Sequence, residues 1–494
     1  EGGATPPGGM PRPEDVLKRR TQDTRVISGL SMPATPTSYS NGSAFTVQLR
    51  QDATGKKFLD TSAVATAFTP NEQSFDLAVV QFGDDGRFVD ASQIDAAAAR
   101  IREVRRSRNA PFGALVVVFV HGWHHGAAWH RTPSVADDKP DGDKHLHGFR
   151  LMLQSLAYRE VERYSSVDGS PTGRRIVGVY VAWNGDPQGG LRGAIARIPL
   201  ASEASFWNRY AVAEQIGAAE DFQGALRRIV SAVKHEAGPE SPLVLIGHSM
   251  GALMMQSAFA TLLEQGALVQ PAISVAPGPT RVTSHDTPVL FPDLVLSLNS
   301  AADGDFARRI LAAYQQLGLT KVAEGERVGY HAPLLASVTS SADTATAVWW
   351  PRARPGRSTD GHDPRLATHH LRVLTPPMRP PCLAMQGPDF GQNWHCLHVP
   401  DPPHAATPSI PIDLPARERK GLADRNVPHD QYALTPRHGV STPCLQWIFQ
   451  VSPEVIANHN DIFNSKARSL TLALIQISGA VASLARDWDD TFVP

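Results

Sequence analysis

The sequence predicts an α/β fold built around a doubly wound, mainly parallel sheet, and two observations support that prediction. Apolar runs rich in β-branched residues, such as Ala114–Val120, are typical of strands buried on both faces. Stretches with helical spacing alternate with these runs, beginning at Ser92–Arg106. The chain has 494 residues, of which 42% are hydrophobic and 19% charged, and this ordinary globular composition allows one large domain with insertions or two domains.

The predicted elements follow one another in an alternating order. Short strands at Ala44–Arg50 and Asp76–Phe82 precede the first helix. The later strands are predicted from continuous apolar runs, and they are Ala114–Val120, Ile176–Trp183, Leu243–Ile246, Leu294–Leu298, Leu334–Thr339 and Leu445–Val451. The later helices are predicted from apolar residues that recur every three or four positions, and they are His147–Tyr164, Tyr210–His235, Ala252–Glu264, Arg308–Leu317 and Ser465–Leu484.

Composition divides the chain into four parts. Residues 1–20 are polar and rich in Gly and Pro, so we expect a flexible tail, and residues 21–350 form the first part of the core. Residues 351–443 are rich in Pro, which predicts a long irregular insertion that folds over the functional site as a lid or cap. The alternative is that this insertion lies on the surface, far from that site. Residues 444–494 complete the core.

Charge and apolar runs argue against several classes of partner. The formal net charge is −1, so nothing favours nucleic acid or an anionic membrane. No apolar run reaches the roughly 18 residues that span a bilayer, so no integral membrane segment is expected. Cys382 and Cys396 could form one disulfide in an exported protein, whereas these two and Cys444 would be free thiols in a reducing compartment. No signal peptide is visible in this chain, and secreted, periplasmic and cytoplasmic locations all stay open, as does the oligomeric state.

A G-x-S-x-G motif at Gly247–Gly251 is the strongest functional signal in the chain. A buried strand enters it and an apolar helix leaves it, which is the context of a nucleophile elbow. The sharp turn exposes the hydroxyl of Ser249, and glycines are needed on both sides because side chains there would clash. Amide groups at the start of the following helix would favour an oxyanion. The alternative is a Gly-rich turn with an incidental serine.

With this motif in its strand–turn–helix setting, the chain resembles the α/β-hydrolase superfamily. The match is closest to poorly characterised bacterial hydrolases that carry FVHGW and GHSMG, and both motifs stand in this sequence. The resemblance covers most of the core but not the Pro-rich insertion. It implies a serine esterase or lipase reaction without a cofactor, and catalytic residues in the order Ser, acid, His along the chain.

The loop after the strand Ala114–Val120 is similar to the oxyanion loop of lipases and esterases. Gly122 permits a sharp turn, so the N–H groups of Trp123 and Met250 are expected to stabilise the oxyanion. The alternative is that Gly122 only allows the chain to turn at the end of the strand and that the loop has no catalytic role. Histidines crowd this region: they are His121, His124, His125, His130, His145 and His147. Their spacing matches no zinc signature, so we expect them to pack against Trp123 and Trp129 and to hold no metal.

A serine nucleophile needs a base, and the base needs an orienting carboxylate. His459 follows the last strand, where the resemblance places the base, and His398, His404, His429 and His438 are weaker candidates. Asp343 follows the strand Leu334–Thr339 and is the expected acid. Asp303, beside Asp305, is the alternative, and either aspartate could instead cap a helix. Asp461 could cap the last helix or hold the loop that carries His459.

The substrate is predicted only as a class. Tryptophans cluster near the predicted strand ends, which favours an apolar or aromatic group over a charged one: they are Trp123, Trp129, Trp183, Trp349 and Trp350. His121, His248 and Trp183 are expected to contact it. A carboxylic ester of a small molecule is the first hypothesis, and a lipid or polyester is the second. An amide or thioester is a further variant, and a non-catalytic binding module on the same fold is the third hypothesis.

Overall fold

The computed structural model describes residues 74–106, 113–126, 143–164, 174–185, 199–234, 241–267, 292–316, 333–354, 356–373, 410–415, 429–437 and 445–478, with short strand segments at 26–28, 44–45, 48–51, 57–59, 65–68, 269–270 and 289–290. The predicted tail at 1–20 lies outside these residues. So do the three cysteines, Cys382, Cys396 and Cys444, and the disulfide therefore stays a prediction.

The strands of the described residues are, in chain order, β1 (Val26–Ser28), β2 (Ala44–Phe45), β3 (Gln48–Gln51), β4 (Lys57–Leu59), β5 (Ala65–Phe68), β6 (Ser74–Gln81), β7 (Ala114–Val120), β8 (Arg175–Ala182), β9 (Leu243–His248), β10 (Val269–Gln270), β11 (Val289–Leu290), β12 (Leu294–Leu298), β13 (Leu335–Ser340), β14 (His369–Val373), β15 (Ile410–Pro415), β16 (His429–Pro436) and β17 (Gln446–Val451).

The helices are α1 (Ser92–Arg106), α2 (Lys144–Tyr164), α3 (Pro199–Ala218), α4 (Glu220–Lys234), α5 (Met250–Glu264), α6 (Gly304–Gln316), α7 (Trp350–Ala353) and α8 (Ser465–Ile477). A π-helical segment, Ala345–Trp349, directly precedes α7. Within the described ranges, no helix combines the length and the hydropathy that a bilayer-spanning segment needs.

A nine-stranded sheet forms the centre of the molecule, in the order β17-β13-β12-β9-β7-β8-β6-β5-β2. The strands from β17 to β6 all run parallel to their neighbours. At one edge, β5 and β2 add antiparallel pairs. The predicted mainly parallel α/β sheet is therefore confirmed, and the carboxyl ends of its parallel strands meet at one edge, where ligands bind in such sheets.

Helices cover both faces of this sheet. Along β7 every residue is buried, and alternate side chains enter two different cores. Val117 and Phe119 pack in the core that also contains residues of α2 and α8. Val116 and Val118 pack in the core that contains residues of α1, α3, α4, α5 and α6. The continuous apolar run that predicted this strand follows from burial on both sides.

A buried carboxylate ties the edge of the parallel sheet to its covering helix. Asp76 on β6 is 0% exposed. Its Oδ1 accepts a hydrogen bond from Arg100 Nη2 on α1 at 3.0 Å, and its Oδ2 accepts one from Arg175 Nε on β8 at 3.0 Å. The two guanidinium groups supply the opposite charge that a carboxylate in an apolar core requires.

The helix predicted at Tyr210–His235 is wrong in its bounds and its continuity. The structure has α3 and α4 instead, separated at Ala219. The N–H of Ala219 donates to the carbonyl of Ile216 at 3.0 Å, and Gln223 Nε2 donates to the carbonyl of Ala218 at 3.1 Å. These bonds satisfy carbonyls at the end of α3. Both helices pack in the same core, so helical spacing continues across the break and does not reveal it.

The predicted irregular insertion at 351–443 contains regular structure in its described part. There β14, β16 and β15 form an antiparallel sheet in that order. Ile412 and Leu414 on β15 are buried with Tyr432 and Leu434 on β16, in the core of β17 and α8. The expectation of irregular structure is wrong for these segments. In β15 apolar residues alternate with other residues, two of which are prolines, and proline is tolerated in a strand at the edge of a sheet.

The strand predicted at Ala44–Arg50 is also wrong as one element. Two strands occur there, and they belong to different sheets. β2 pairs with β5 in the central sheet, whereas β3 pairs with β1 and β4 in a separate three-stranded sheet. Alternation alone does not say which partner a strand has.

Candidate active site

Ser249 lies in the turn between β9 and α5, at the carboxyl edge of the sheet. Its φ of 53° and ψ of −121° are strained values for a residue with a side chain. The flanking glycines make the turn possible. A Cβ on Gly247 would lie 2.6 Å from the Cα of Ala252, and one on Gly251 would collide with the carbonyl oxygen of Val120. The motif therefore forms the tight strand-to-helix turn that the sequence predicted.

His459 lies between Ser249 and Asp343. Its Nε2 is 2.7 Å from Ser249 Oγ, and its Nδ1 is 2.8 Å from Asp343 Oδ1. Because a carboxylate only accepts hydrogen bonds, Nδ1–H donates to Asp343, which leaves Nε2 of the neutral ring to accept the Ser249 hydroxyl hydrogen. The imidazole side chain is 19% exposed, whereas the Asp343 side chain is 0% exposed. The structure thus brings these three predicted residues together in one hydrogen-bonded chain.

The carboxylate of Asp343 has further donors. Its Oδ1 accepts the N–H groups of Ala345 and Thr346 at 3.0 and 3.3 Å, and its Oδ2 accepts the Thr346 hydroxyl at 2.5 Å. Burial would raise the pKa of Asp343, but its attraction to the protonated form of His459 and the hydrogen bonds from His459 and Thr346 outweigh burial and hold that pKa below its ordinary value. Asp343 is therefore ionised at neutral pH. The helix-capping role considered for Asp343 and its contact with His459 coexist.

Asp303, the alternative acid, has a different set of partners. Its Oδ2 accepts a hydrogen bond from Arg357 Nη1 at 3.0 Å, and its Oδ1 accepts the N–H of Asp305 at 3.0 Å. Among the described residues, Asp343 is the carboxylate that contacts the imidazole of His459.

The loop that carries His459 is tied to the ends of three neighbouring strands. The carbonyl oxygen of His459 accepts hydrogen bonds from His248 Nε2 at 2.7 Å and from Asn299 Nδ2 at 2.9 Å. Asn299 follows β12 with a φ of 45°, and its Oδ1 accepts the N–H of Ser340 at 2.8 Å. Ser340 at the end of β13 donates through its hydroxyl to the carbonyl of Ile456 at 2.6 Å. These bonds hold the loop in the position from which the imidazole of His459 contacts Ser249.

The loop after β7 lies directly against Ser249. A Cβ on Gly122 would lie 2.8 Å from the Cβ of Ser249, so only glycine allows the backbone to approach this closely. Within the described part of the chain, neither the N–H of Trp123 nor that of Met250 donates to another protein group. Met250 follows Ser249 directly in the chain, and Trp123 follows Gly122, whose backbone approaches Ser249 closely.

His121 and Trp183, both predicted substrate contacts, brace the ends of β7 and β8. The N–H of Trp183 donates to His121 Nε2 at 3.1 Å, and its Nε1–H donates to the carbonyl of His121 at 2.9 Å. Burial lowers the pKa of His121 to about 4, so the ring is neutral at pH 7. Both side chains are buried, and the contacts that the structure gives them are with protein groups. Their contact with a substrate stays a prediction.

A cluster of histidines lies beside His121. His125 donates through Nδ1 to Asp143 at 3.0 Å, and its ring stacks on His145 with centroids 3.3 Å apart. His145 in turn meets His248 edge-on, with centroids 4.7 Å apart. Burial holds the pKa values of His145 and His248 well below their ordinary range, so both rings are neutral. His248 is buried and bonded to His459, so its predicted substrate contact also stays a prediction. Within the described residues, no group of His, Cys, Asp and Glu has the geometry of a metal site.

The remaining predicted residues are distributed as follows. Trp349 is 41% exposed, whereas Trp350 is buried and donates through Nε1 to the carbonyl of Ala301 at 3.0 Å. Asp461 accepts the N–H of Ala457 at 3.1 Å and so holds the His459 loop, the second of the two roles considered for it. Several other candidates lie outside the described residues, namely Trp129, His130, His398, His404 and His438. His429 begins β16.

Three residues around the site were missed in the sequence: Asn299, Thr346 and His362. A signal existed for Asn299, because a polar residue directly after a central strand of a parallel sheet lies at the ligand-binding edge. Thr346 stands three residues after Asp343 in a helical segment, where capping contacts are common. Nothing in the sequence singled out His362, which lies within the stretch expected to be irregular.

Comparison with known proteins adds little. No protein-family model matches the chain, and no curated protein matches it. Among solved structures, the crystal structure of an uncharacterized protein from Pseudomonas aeruginosa is similar over 51% of this chain and 38% of that protein, with 11% sequence identity and a TM-score of 0.18. The chain thus spans well under half of that protein's length, and so weak a likeness carries no argument about fold or function.

Proposed function

We propose that this chain is a serine hydrolase of the α/β-hydrolase type that cleaves carboxylic esters. The observation that carries the proposal is the hydrogen-bonded chain from Ser249 Oγ through His459 to Asp343, with heavy-atom distances of 2.7 and 2.8 Å. Hydroxyl, imidazole and buried carboxylate in this order are the groups that activate a serine nucleophile. Their order along the sequence, Ser, Asp, His, is also that of α/β-hydrolases.

The first half of the proposed reaction forms an acyl-enzyme. His459 Nε2 takes the hydroxyl proton while Ser249 Oγ bonds to the ester carbonyl carbon. The N–H groups of Trp123 and Met250 stabilise the oxyanion, and donors of this kind are each worth about 3–4 kcal/mol in the transition state. Asp343 stabilises the imidazolium and fixes its tautomer. His459 then gives the proton to the leaving alkoxide oxygen, the carbon–oxygen bond breaks, and the alcohol departs.

The second half releases the acid. His459 Nε2 accepts a proton from water, whose oxygen attacks the acyl carbon while the same two amides stabilise the new oxyanion. The carbon–Oγ bond then breaks and His459 returns the proton to Ser249. No cofactor or metal enters these steps.

Labelling with a fluorophosphonate probe tests the proposal. We expect the folded wild-type chain to carry the probe on Ser249 and to hydrolyse p-nitrophenyl acetate. Ser249→Ala should lose labelling and lose turnover by about 10³- to 10⁶-fold. Ser257→Ala, in the same helix, is the matched control and should behave as wild type. Unchanged turnover in Ser249→Ala would reject the proposal, and a folded wild type that never labels would favour a binding module instead.

Two exposed apolar residues favour larger apolar esters, such as a lipid or a polyester, as a second candidate. Val348 and Trp349 are each 41% exposed, and they belong to the helical segment that begins two residues after Asp343. Exposed apolar groups near a site offer a surface for an apolar substrate. We expect activity to rise with acyl chain length and Trp349→Ala to reduce that rise. A flat chain-length profile would count against this candidate.

A further inference from the structure

A second histidine lies behind the acid. His362 Nε2 is 3.0 Å from the Thr346 hydroxyl oxygen, and that hydroxyl donates to Asp343 Oδ2 at 2.5 Å. A hydroxyl has one hydrogen, so if the carboxylate receives it, His362 Nε2–H must be the donor to Thr346. His362 Nδ1 then accepts the hydrogen bond from Gln450 Nε2 at 3.3 Å. The chain of hydrogen bonds that begins at Ser249 therefore continues past the acid.

The backbone around His362 is held by the sheet. Gln450 on β17 also donates to the carbonyl of Gly361 at 3.1 Å. Gly361 lies so close to Thr339 on β13 that a Cβ at this position would collide with the threonine side chain. The N–H of Asp360 donates to the carbonyl of Ala302 at 3.1 Å. Contacts with β17, with β13 and with the loop after β12 thus fix the position from which His362 reaches Thr346.

The hydrogen bond from His362 orients the hydroxyl of Thr346 toward Asp343. A threonine in a helical segment commonly turns its hydroxyl to a backbone carbonyl three or four residues earlier. The N–H of His362 occupies a lone pair of the Thr346 oxygen and leaves its hydrogen to the carboxylate. Asp343 Oδ2 is then anchored, and Oδ1 is held in place for His459.

We propose that His362 is a positioning residue. Acting through the hydroxyl of Thr346, it holds the carboxylate of Asp343 in the orientation that accepts the hydrogen bond from the imidazole of His459. The inference rests on the proposed serine hydrolase activity. His362 contacts neither Ser249 nor His459 by a hydrogen bond in the described structure, so its effect reaches the reaction only through the orientation of the acid.

The chain offers a matched control pair. Thr368 and His369 also share a hydrogen bond, with 2.9 Å between the hydroxyl oxygen and Nδ1, and both are buried. This pair lies against β17, where Thr368 Oγ1 accepts the N–H of Ile448 at 2.8 Å. Substitutions there remove the same kind of contact without touching Asp343.

The test compares rates of fluorophosphonate labelling at Ser249 and kcat and KM for p-nitrophenyl acetate. Thr346→Val and His362→Phe should each lower the labelling rate and kcat by about 10- to 100-fold with little change in KM, because a small misplacement of a catalytic group has an effect of that size. Thr346→Ser and His362→Gln keep a hydroxyl and an N–H donor and should recover most of the rate. Thr368→Val and His369→Phe should label as wild type does.

The outcomes separate the inference from the function on which it rests. A wild type that labels, together with Thr346→Val and His362→Phe that label equally fast, overturns the inference alone. The inference also fails if the control pair loses as much rate, or if the loss falls on KM. A folded wild type that neither labels nor hydrolyses the ester overturns the proposed function and this inference with it.

Discussion

His248, the residue before Ser249, donates a hydrogen bond from Nε2 to the carbonyl oxygen of His459 at 2.7 Å. Strand β9, which ends at His248, thus holds the backbone of the loop that carries the proposed base, His459. Asn299 Nδ2 donates to the same oxygen at 2.9 Å from the neighbouring strand end. A carbonyl oxygen has two lone pairs, so both bonds form at once.

These two donors predict a specific double-mutant result. His248→Phe and Asn299→Ala should each lower kcat for p-nitrophenyl acetate only modestly, because the remaining donor still holds the loop. The double variant should lose more than the product of the single losses, with a coupling free energy of about 1 kcal/mol. Multiplicative losses would show that the two donors act independently. His248→Gln, which keeps an N–H donor, is the control for loss of packing.

A second prediction separates the two candidate acids. Asp343→Asn removes the charge next to His459 and should lower kcat by about 10⁴-fold, because the amide favours the wrong imidazole tautomer. Asp303→Asn removes a carboxylate that pairs with Arg357 and should leave kcat near that of wild type. Ester turnover under saturating substrate measures both. A large loss in Asp303→Asn with an active Asp343→Asn would reverse the assignment.

The parts of the molecule predicted well from sequence are those whose signals are local. β7 is one continuous apolar run because both faces of the strand are buried, and Ser249 stands in a motif whose glycines are required within two residues on either side. The coarse α/β sheet is confirmed on this basis. Positions after the last strands also suggested His459 and Asp343, and the structure brings both to Ser249.

The parts that were missed depend on contacts between distant residues. Asn299 meets His459 across 160 positions, and Gln450 meets His362 across 88. No spacing rule predicts such pairs, because they arise only when strand ends are placed side by side. The break at Ala219 was missed for another reason: α3 and α4 present apolar residues to one core, so helical spacing is unbroken there.

A third prediction concerns the stability of the sheet edge. Asp76 is 0% exposed and bonds to both Arg100 and Arg175, so Asp76→Asn leaves two guanidinium groups without their carboxylate. Removing one partner of a buried ion pair is strongly destabilising, and we expect the free energy of unfolding to fall by about 3 kcal/mol.

Urea denaturation measures this change. Glu264→Gln is the control, because the Glu264 and Arg309 side chains are each 40% exposed and such a surface pair contributes about 0–1 kcal/mol. Equal losses of stability in the two variants would contradict the account given for Asp76.

The last prediction is that the lowered pKa of His121 makes the free energy of unfolding depend on pH. Burial lowers the pKa of this ring from an ordinary 6.5 to about 4, so between these two values the unfolded chain binds a proton that the folded chain does not. Stability is therefore lost as the pH falls below 6.5 and continues to be lost until the folded ring itself protonates. Between pH 8 and pH 5 this one ring should contribute a loss of about 2 kcal/mol.

His121→Gln keeps an acceptor for the N–H of Trp183 but has no group that titrates in this range. The denaturant midpoints of the variant should therefore fall less between the two pH values than those of wild type. If both proteins lose the same free energy over that interval, the buried neutral imidazole is not a source of the acid sensitivity.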